Sequence, residues 1–124
     1  FGSIGFPHYA SYSATKFAMR GFSQALRREL AGTGIQVTYV APRAVKTPIN
    51  DALATEMQQA TGTTLDEPAV VAARIINAIQ RGNHETYIGQ PESFFAWLNG
   101  VLPSLVSLGL KKQTQIAADY AAKR

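Results

Sequence analysis

A helix-length run, a glycine stop and a short β-prone run follow one another between residues 11 and 41. From about Ser11 to Ala31 the apolar residues Phe17, Ala18, Phe22, Ala25, Leu26 and Leu30 recur at helical spacing. Arg20, Arg27, Arg28 and Glu29 take much of the remaining surface, and Gly32 and Gly34 supply the stop. Ile35–Ala41 is β-branched and aromatic, largely apolar, and ends at Pro42, which predicts a short buried strand. A long helix, a tight glycine turn and a buried strand make the αβ half of a βαβ unit, and a parallel sheet follows from that.

The rest of the chain extends the same pattern. Residues 1–9 read as a loop punctuated by Gly2, Gly5 and Pro7. Thr47-Pro48 opens an irregular stretch, a short helix is expected over Asp51–Ala60, and Thr61-Gly62-Thr63-Thr64 interrupts it. Asp66-Glu67-Pro68 has the form of a helix start, with acids near the positive end of the dipole and proline in the first turn. Val70, Val71, Arg74, Ile75, Ala78 and Ile79 carry that helix toward Gly82. Glu85–Ile88 is the last expected strand, closed by Gly89 and Pro91. The fold class is α/β.

Composition limits the function classes. At 46% hydrophobic and 16% charged residues the chain is globular rather than disordered. Without cysteine it has no disulfide, no thiolate metal site and no thiol nucleophile, which fits a cytoplasmic setting. His8 and His84 stand isolated, so no metal site is expected. The net charge of +4 is scattered along helices rather than striped among aromatics, so no nucleic-acid partner is expected. The first residue is Phe1, and the expectation is that the chain is part of a longer protein.

Uncharged residues fill 93–110, among them Phe94, Phe95, Trp97, Leu98, Val101, Leu102, Leu105 and Leu108. That approaches the roughly 20 residues a bilayer span requires. Asn99, Gly100, Pro103, Ser104 and Ser107 interrupt it, so spanning is the least favoured reading. Packing over a cleft or a subunit interface is preferred, with peripheral membrane contact anchored by Trp97 and Lys111-Lys112 the next choice.

The chemistry lies at the start of the long helix, in Tyr12-Ser13-Ala14-Thr15-Lys16. Residues four apart share one helical face. An ammonium beside a phenol favours the phenolate, so the tyrosine can exchange a proton below its free value of about 10. That equips it as a general acid/base for alcohol–ketone interconversion. Tyr9 is placed to line the same cleft, and His8 lies on the approach loop.

Tyr12-Ser13-Ala14-Thr15-Lys16-Phe17-Ala18 resembles the active-site helix of the short-chain dehydrogenase/reductase family, whose motif is Tyr-x-x-x-Lys. Gly2 and Pro7 echo the family's approach segment, and Val40-Ala41-Pro42-Arg43-Ala44-Val45-Lys46-Thr47-Pro48 resembles its Pro-Gly-x-Val-x-Thr stretch. The likeness covers residues 1 to about 90 in the family's order. It implies the C-terminal half of a Rossmann-type doubly wound parallel sheet (residues 1–90) followed by an apolar helical tail (residues 91–124). It also implies Tyr12 as proton donor or acceptor, and Lys16 as the group that lowers the Tyr12 pKa and bonds the nicotinamide ribose of NAD(P). Pro42, Ala44, Val45 and Thr47 would line the nicotinamide, with the Val45 backbone and Thr47 hydroxyl reaching its carboxamide. The family's catalytic serine falls two positions before Phe1, and neither Ser3 nor Ser11 matches it by spacing. Its Gly-rich phosphate turn has no counterpart here. Arg43 stands where the family usually has glycine, with an outward orientation preferred over a cofactor-phosphate contact.

The expected function is therefore an NAD(P)-dependent oxidoreductase acting on an alcohol or ketone, weakly favoured to be apolar, with this stretch inactive by itself. Half a doubly wound sheet also leaves an unpaired edge and an uncovered apolar face. The alternatives are a dinucleotide-binding sensor without chemistry and a peripheral membrane protein on the same fold. Pairing of subunits through the Tyr12 helix is a further expectation from the family.

Overall fold

The computed structural model describes residues 2–49 and 52–122. Its elements run α1 (Ala10–Glu29), β1 (Tyr39–Pro42), α2 (Ala52–Ala60), α3 (Pro68–Gln80), β2 (Glu85–Ile88), α4 (Glu92–Val101), α5 (Pro103–Gly109) and α6 (Lys111–Ala121). The strands β1 and β2 pair in parallel, Tyr39 opposite Glu85 through Pro42 opposite Ile88, with α2 and α3 in the crossover. The arrangement is α/β with a parallel sheet and a helical C-terminal region, a partial Rossmann-type fold. Asp51, the first residue of the expected second helix, lies outside the described residues; Ala52–Ala60 forms α2 as anticipated.

Each boundary has a local cause. Gly32 (φ 83°) and Gly34 (φ 82°) take left-handed conformations after α1, where a Cβ is penalised. The helix α3 starts with Pro68 in its first turn, where the missing N–H costs nothing. The first strand is shorter than the Ile35–Ala41 run predicted. Its ladder begins only at Tyr39, whose N–H donates to the His84 carbonyl at 3.0 Å. Upstream of that point β2 has already turned away through Gly82 (φ 63°), and the Val37 carbonyl accepts Arg27 Nε at 3.1 Å instead. Ile35 is left 60% exposed.

The uncharged run 93–110 is divided between two helices, α4 and α5, rather than forming one. Asn99 and Gly100 do not interrupt α4; the break falls at Leu102-Pro103, where the proline ring forbids continuation. Among the described residues no helix is long and apolar enough to cross a membrane. Asn99 has a specific task, donating its amide to the Ser3 carbonyl at 2.8 Å and tying α4 to the N-terminal loop.

Burial is concentrated at Val71 and Ala78 of α3, Ile88 of β2, Val106 of α5 and Ala117 of α6. By contrast Phe17 and Phe22 of α1 are exposed, so the apolar face read from their spacing is not covered by the described residues. The described sheet has two strands, each with one unpaired edge.

Candidate active site

The anchoring of α1 to the strands places the Tyr12–Lys16 pair. Near the end of α1, Arg27 donates to the carbonyls of Val37 and His84, both at the amino ends of the strands. One to two turns earlier, Gln24 and Arg20 bond Glu85, the first residue of β2. These contacts tie the C-terminal half of α1 to the amino ends of the strands. From Arg27 back to Lys16 the helix rises about 16 Å. Lys16 thus stands about three turns of helix before Arg27, with Tyr12 a turn beyond.

The Lys16 ammonium lies 5.2 Å from the centroid of the Tyr12 ring. Half-buried Lys16 faces a Tyr12 side chain that is 49% exposed, so the phenol is supported on one side and open on another. Tyr9 packs edge-on to Tyr12 with centroids 6.4 Å apart, and its hydroxyl donates to Met57 Sδ of α2 at 3.7 Å. Tyr9 thus bridges Tyr12 of α1 and Met57 of α2. The turn before α1 requires His8 at φ 64°, a left-handed conformation that histidine adopts more readily than most side chains. There Tyr9 N–H bonds the Phe6 carbonyl, and Phe6 N–H reaches the buried Ser13 Oγ at 3.3 Å. Ser13, a variable position of the motif, thus pins the approach loop to the helix. Ser3 Oγ goes to the Tyr87 hydroxyl at 3.5 Å, away from catalytic use.

The second group of predicted residues forms a loop at the carboxyl end of β1. Pro42 closes the strand and is exposed; Ala44, Val45 and Thr47 are half-buried. Val45 makes an isolated parallel bridge to Asp66. Asp66 N–H donates to the Ala44 carbonyl at 2.9 Å, and Lys46 N–H donates to the Asp66 carbonyl at 3.0 Å. Main-chain groups alternate sides along an extended segment, so the N–H and C=O of Val45 itself are turned away from Asp66.

Sequence reasoning missed two polar anchors. One is Glu85, which accepts Gln24 Nε2 at 2.6 Å, Arg20 Nη2 at 3.1 Å and the Tyr87 hydroxyl at 3.1 Å. Burial pushes its carboxyl up, but those donors together with the Arg20 charge outweigh it and hold the pKa below the usual value. Burial raises the Tyr87 and Tyr39 phenols, keeping both neutral. The other is Arg43, expected to point outward or toward a phosphate. It does neither. Its Nε and Nη2 grip both oxygens of Asp66 at 3.0 and 2.7 Å, and Nη1 reaches the Gln90 carbonyl at 2.9 Å and Glu92 at 3.2 Å. Asp66 was read as a dipole partner at the start of α3; its carboxylate is spent on Arg43, whose hydrogen bonds hold its pKa down.

A parallel two-stranded sheet with α-helical crossover, a helix-borne Tyr–Lys pair and a main-chain loop after β1 define a protein of the α/β class with a partial Rossmann-type fold. Residues 1–58 match the family described as short chain dehydrogenase. A putative oxidoreductase SadH of Mycobacterium tuberculosis is 34% identical over 100 residues, 72% of this chain and 36% of that protein. A 3-amino-tetrahydro-pyrrolizinone reductase of Xenorhabdus hominickii is 38% identical over 73 residues, 59% of this chain and 26% of that protein. A dehydrogenase/reductase SDR family protein 7-like of Anopheles gambiae is 29% identical over 126 residues, 92% of this chain and 38% of that protein. The chain belongs to the short-chain dehydrogenase/reductase family. It spans between about a quarter and two fifths of the length of these relatives. No solved structure matches it significantly.

Proposed function

We propose that this chain carries the proton-transfer part of an NAD(P)-dependent oxidoreductase that interconverts a secondary alcohol and a ketone, and that it is the C-terminal portion of that enzyme. The observation that carries the reading is the Lys16 ammonium held 5.2 Å from the Tyr12 ring. Membership of a family with reductase and oxidoreductase relatives supports the reaction class.

The donor set suits a nicotinamide nucleotide. Lys16 offers an ammonium, Thr47 a hydroxyl, and Val45 a main-chain amide turned away from its bridge to Asp66. When bound, the nicotinamide supplies or accepts the hydride. Tyr12 handles the proton. In the reducing direction its hydroxyl donates to the substrate oxygen as the carbonyl becomes an alcohol; in the oxidising direction the phenolate takes that proton back. Lys16, a turn along the same face, offsets the negative charge left on the tyrosine oxygen. Tyr9 and Met57 flank the substrate side with an aromatic ring and a thioether, which favours a fairly apolar substrate.

In the parent protein, Tyr12→Phe removes one oxygen and leaves the Tyr9 stacking partner in place. Turnover should fall by about 10² to 10⁴, the usual contribution of a positioned acid/base. Binding of NAD(P)H, followed by its fluorescence, should be unchanged. Retained turnover removes Tyr12 from the mechanism.

A further inference from the structure

We infer that Arg43 is the positioning residue for the loop of residues 44–47, setting through Asp66 the shape that presents Val45 and Thr47. The inference rests on the proposed function, because those two residues are the ones read as facing the nicotinamide.

Asp66 is bound to the loop twice over, by different parts of itself. Its main chain brackets Val45, donating to the Ala44 carbonyl at 2.9 Å and accepting from Lys46 at 3.0 Å. Its carboxylate is gripped by the Arg43 fork at 2.7 and 3.0 Å. A planar guanidinium meeting a carboxylate through two parallel bonds fixes orientation as well as distance. Arg43 and Asp66 side chains are each 15% exposed, so water competes weakly for either. The residue that starts the loop therefore holds the residue that braces its middle.

The far side of the guanidinium is tied down as well. Nη1 donates to the Gln90 carbonyl at 2.9 Å and to Glu92 at 3.2 Å, so all three nitrogens are engaged. The stem of Arg43 lies across Gly89, which has φ 109°. A Cβ there would sit 2.6 Å from Arg43 Cδ and 2.8 Å from Nε. The path of the side chain exists because that position has none. Arg43 thus joins three segments that sequence separates: the loop after β1, the approach to α3, and the turn between β2 and α4. With its donors used in this way, the arginine shapes the loop and leaves ligand contact to its neighbours.

The test uses the parent protein with Arg43→Ala, Arg43→Lys and Asp66→Asn. Two affinities are compared in each: NADH or NADPH, whichever the unaltered protein binds, and ADP-ribose or its 2′-phosphate, which lack the nicotinamide. A loop defect should weaken the nicotinamide nucleotide about tenfold, the scale lost when a supporting group no longer holds a contacting one. ADP-ribose affinity should stay within about twofold, since general loss of structure cannot spare one nucleotide and not the other. Arg43→Lys keeps the charge and loses the fork, so it should resemble Arg43→Ala; being the milder change, it also covers the case in which Ala fails to fold. Equal weakening of both nucleotides overturns the inference, and so does unaltered affinity for both. Failure of the unaltered parent to bind any nicotinamide nucleotide instead overturns the functional reading beneath it.

Discussion

Two charged anchors flank the candidate site, and they are built differently. Glu85 gathers α1 onto β2 through Arg20, Gln24 and Tyr87, four hydrogen bonds from three side chains on one carboxylate. Arg43 does the converse, one guanidinium drawing in two carboxylates and a carbonyl. The first anchor spans from a helix to the strand it lies on and fixes how far along the sheet Tyr12 and Lys16 sit. The second spans three loops and fixes a backbone shape. Regular elements carry their own geometry and need only be placed. A loop has no ladder of its own, so its conformation must be imposed from outside.

The largest expected effect breaks the second anchor without touching the first. In Gly89→Val the new side chain meets the Arg43 stem, and a β-branched residue must take φ 109°. The backbone alone should cost about 1–3 kcal/mol, read as a lowered unfolding temperature, with weakened NAD(P)H binding beside it. An unchanged unfolding temperature would mean that Arg43 can leave its course freely. Next comes the first anchor. Glu85→Ala strands Arg20, Gln24 and the Tyr87 hydroxyl together, a loss of about 1–3 kcal/mol for groups left unpaired. Its mark should be lowered stability with ADP-ribose and NAD(P)H affinities moving in step. If it reproduced the selective nicotinamide defect expected of Arg43→Ala, the division of labour between the anchors would dissolve.

A smaller effect sharpens what the two share. Asp66 and Glu85 both have carboxyl groups held below their ordinary values, so each favours folding in its ionised form. That contribution is fully present above the unfolded values of about 3.9 and 4.3 and is lost as pH falls through the lower folded ones. Unfolding temperature should decline on acidification below about pH 4, and Asp66→Asn should flatten part of that limb. An acid limb unaltered by Asp66→Asn removes Arg43–Asp66 from the pH response. The smallest effect belongs to Lys46–Glu67, whose side chains are 69% and 64% exposed. Lys46→Ala should change stability by less than about 1 kcal/mol, which sets the scale against which the anchors are read.

Much of the fold was legible in the chain. The long helix, the glycine stop, the proline start of α3 and β2 over Glu85–Ile88 all came from local signals: spacing, φ > 0 positions and a missing N–H. The Tyr12–Lys16 approach was legible for the same reason, since four residues on a helix meet whatever the tertiary fold. The length of β1 was not. Ile35–Val37 have strand chemistry, but a strand needs a partner, and β2 turns aside before reaching them. Asn99 looked like a helix breaker and instead lies inside α4 and holds Ser3 across 96 residues of sequence, tertiary context overriding a weak local propensity. Arg43 was read for what it might touch outside the protein, and its partners turned out to be 23 and 49 residues away along the chain.

The sequence by itself determined the periodic elements, the parallel character of the sheet and the phenol–ammonium pair, because each depends on neighbours within a few residues. Tertiary structure alone decided where that pair stands and how the 44–47 loop is shaped. Both depend on long-range charge pairs, Arg20 to Glu85 and Arg43 to Asp66, whose partners share no spacing in sequence and meet only once the sheet has formed.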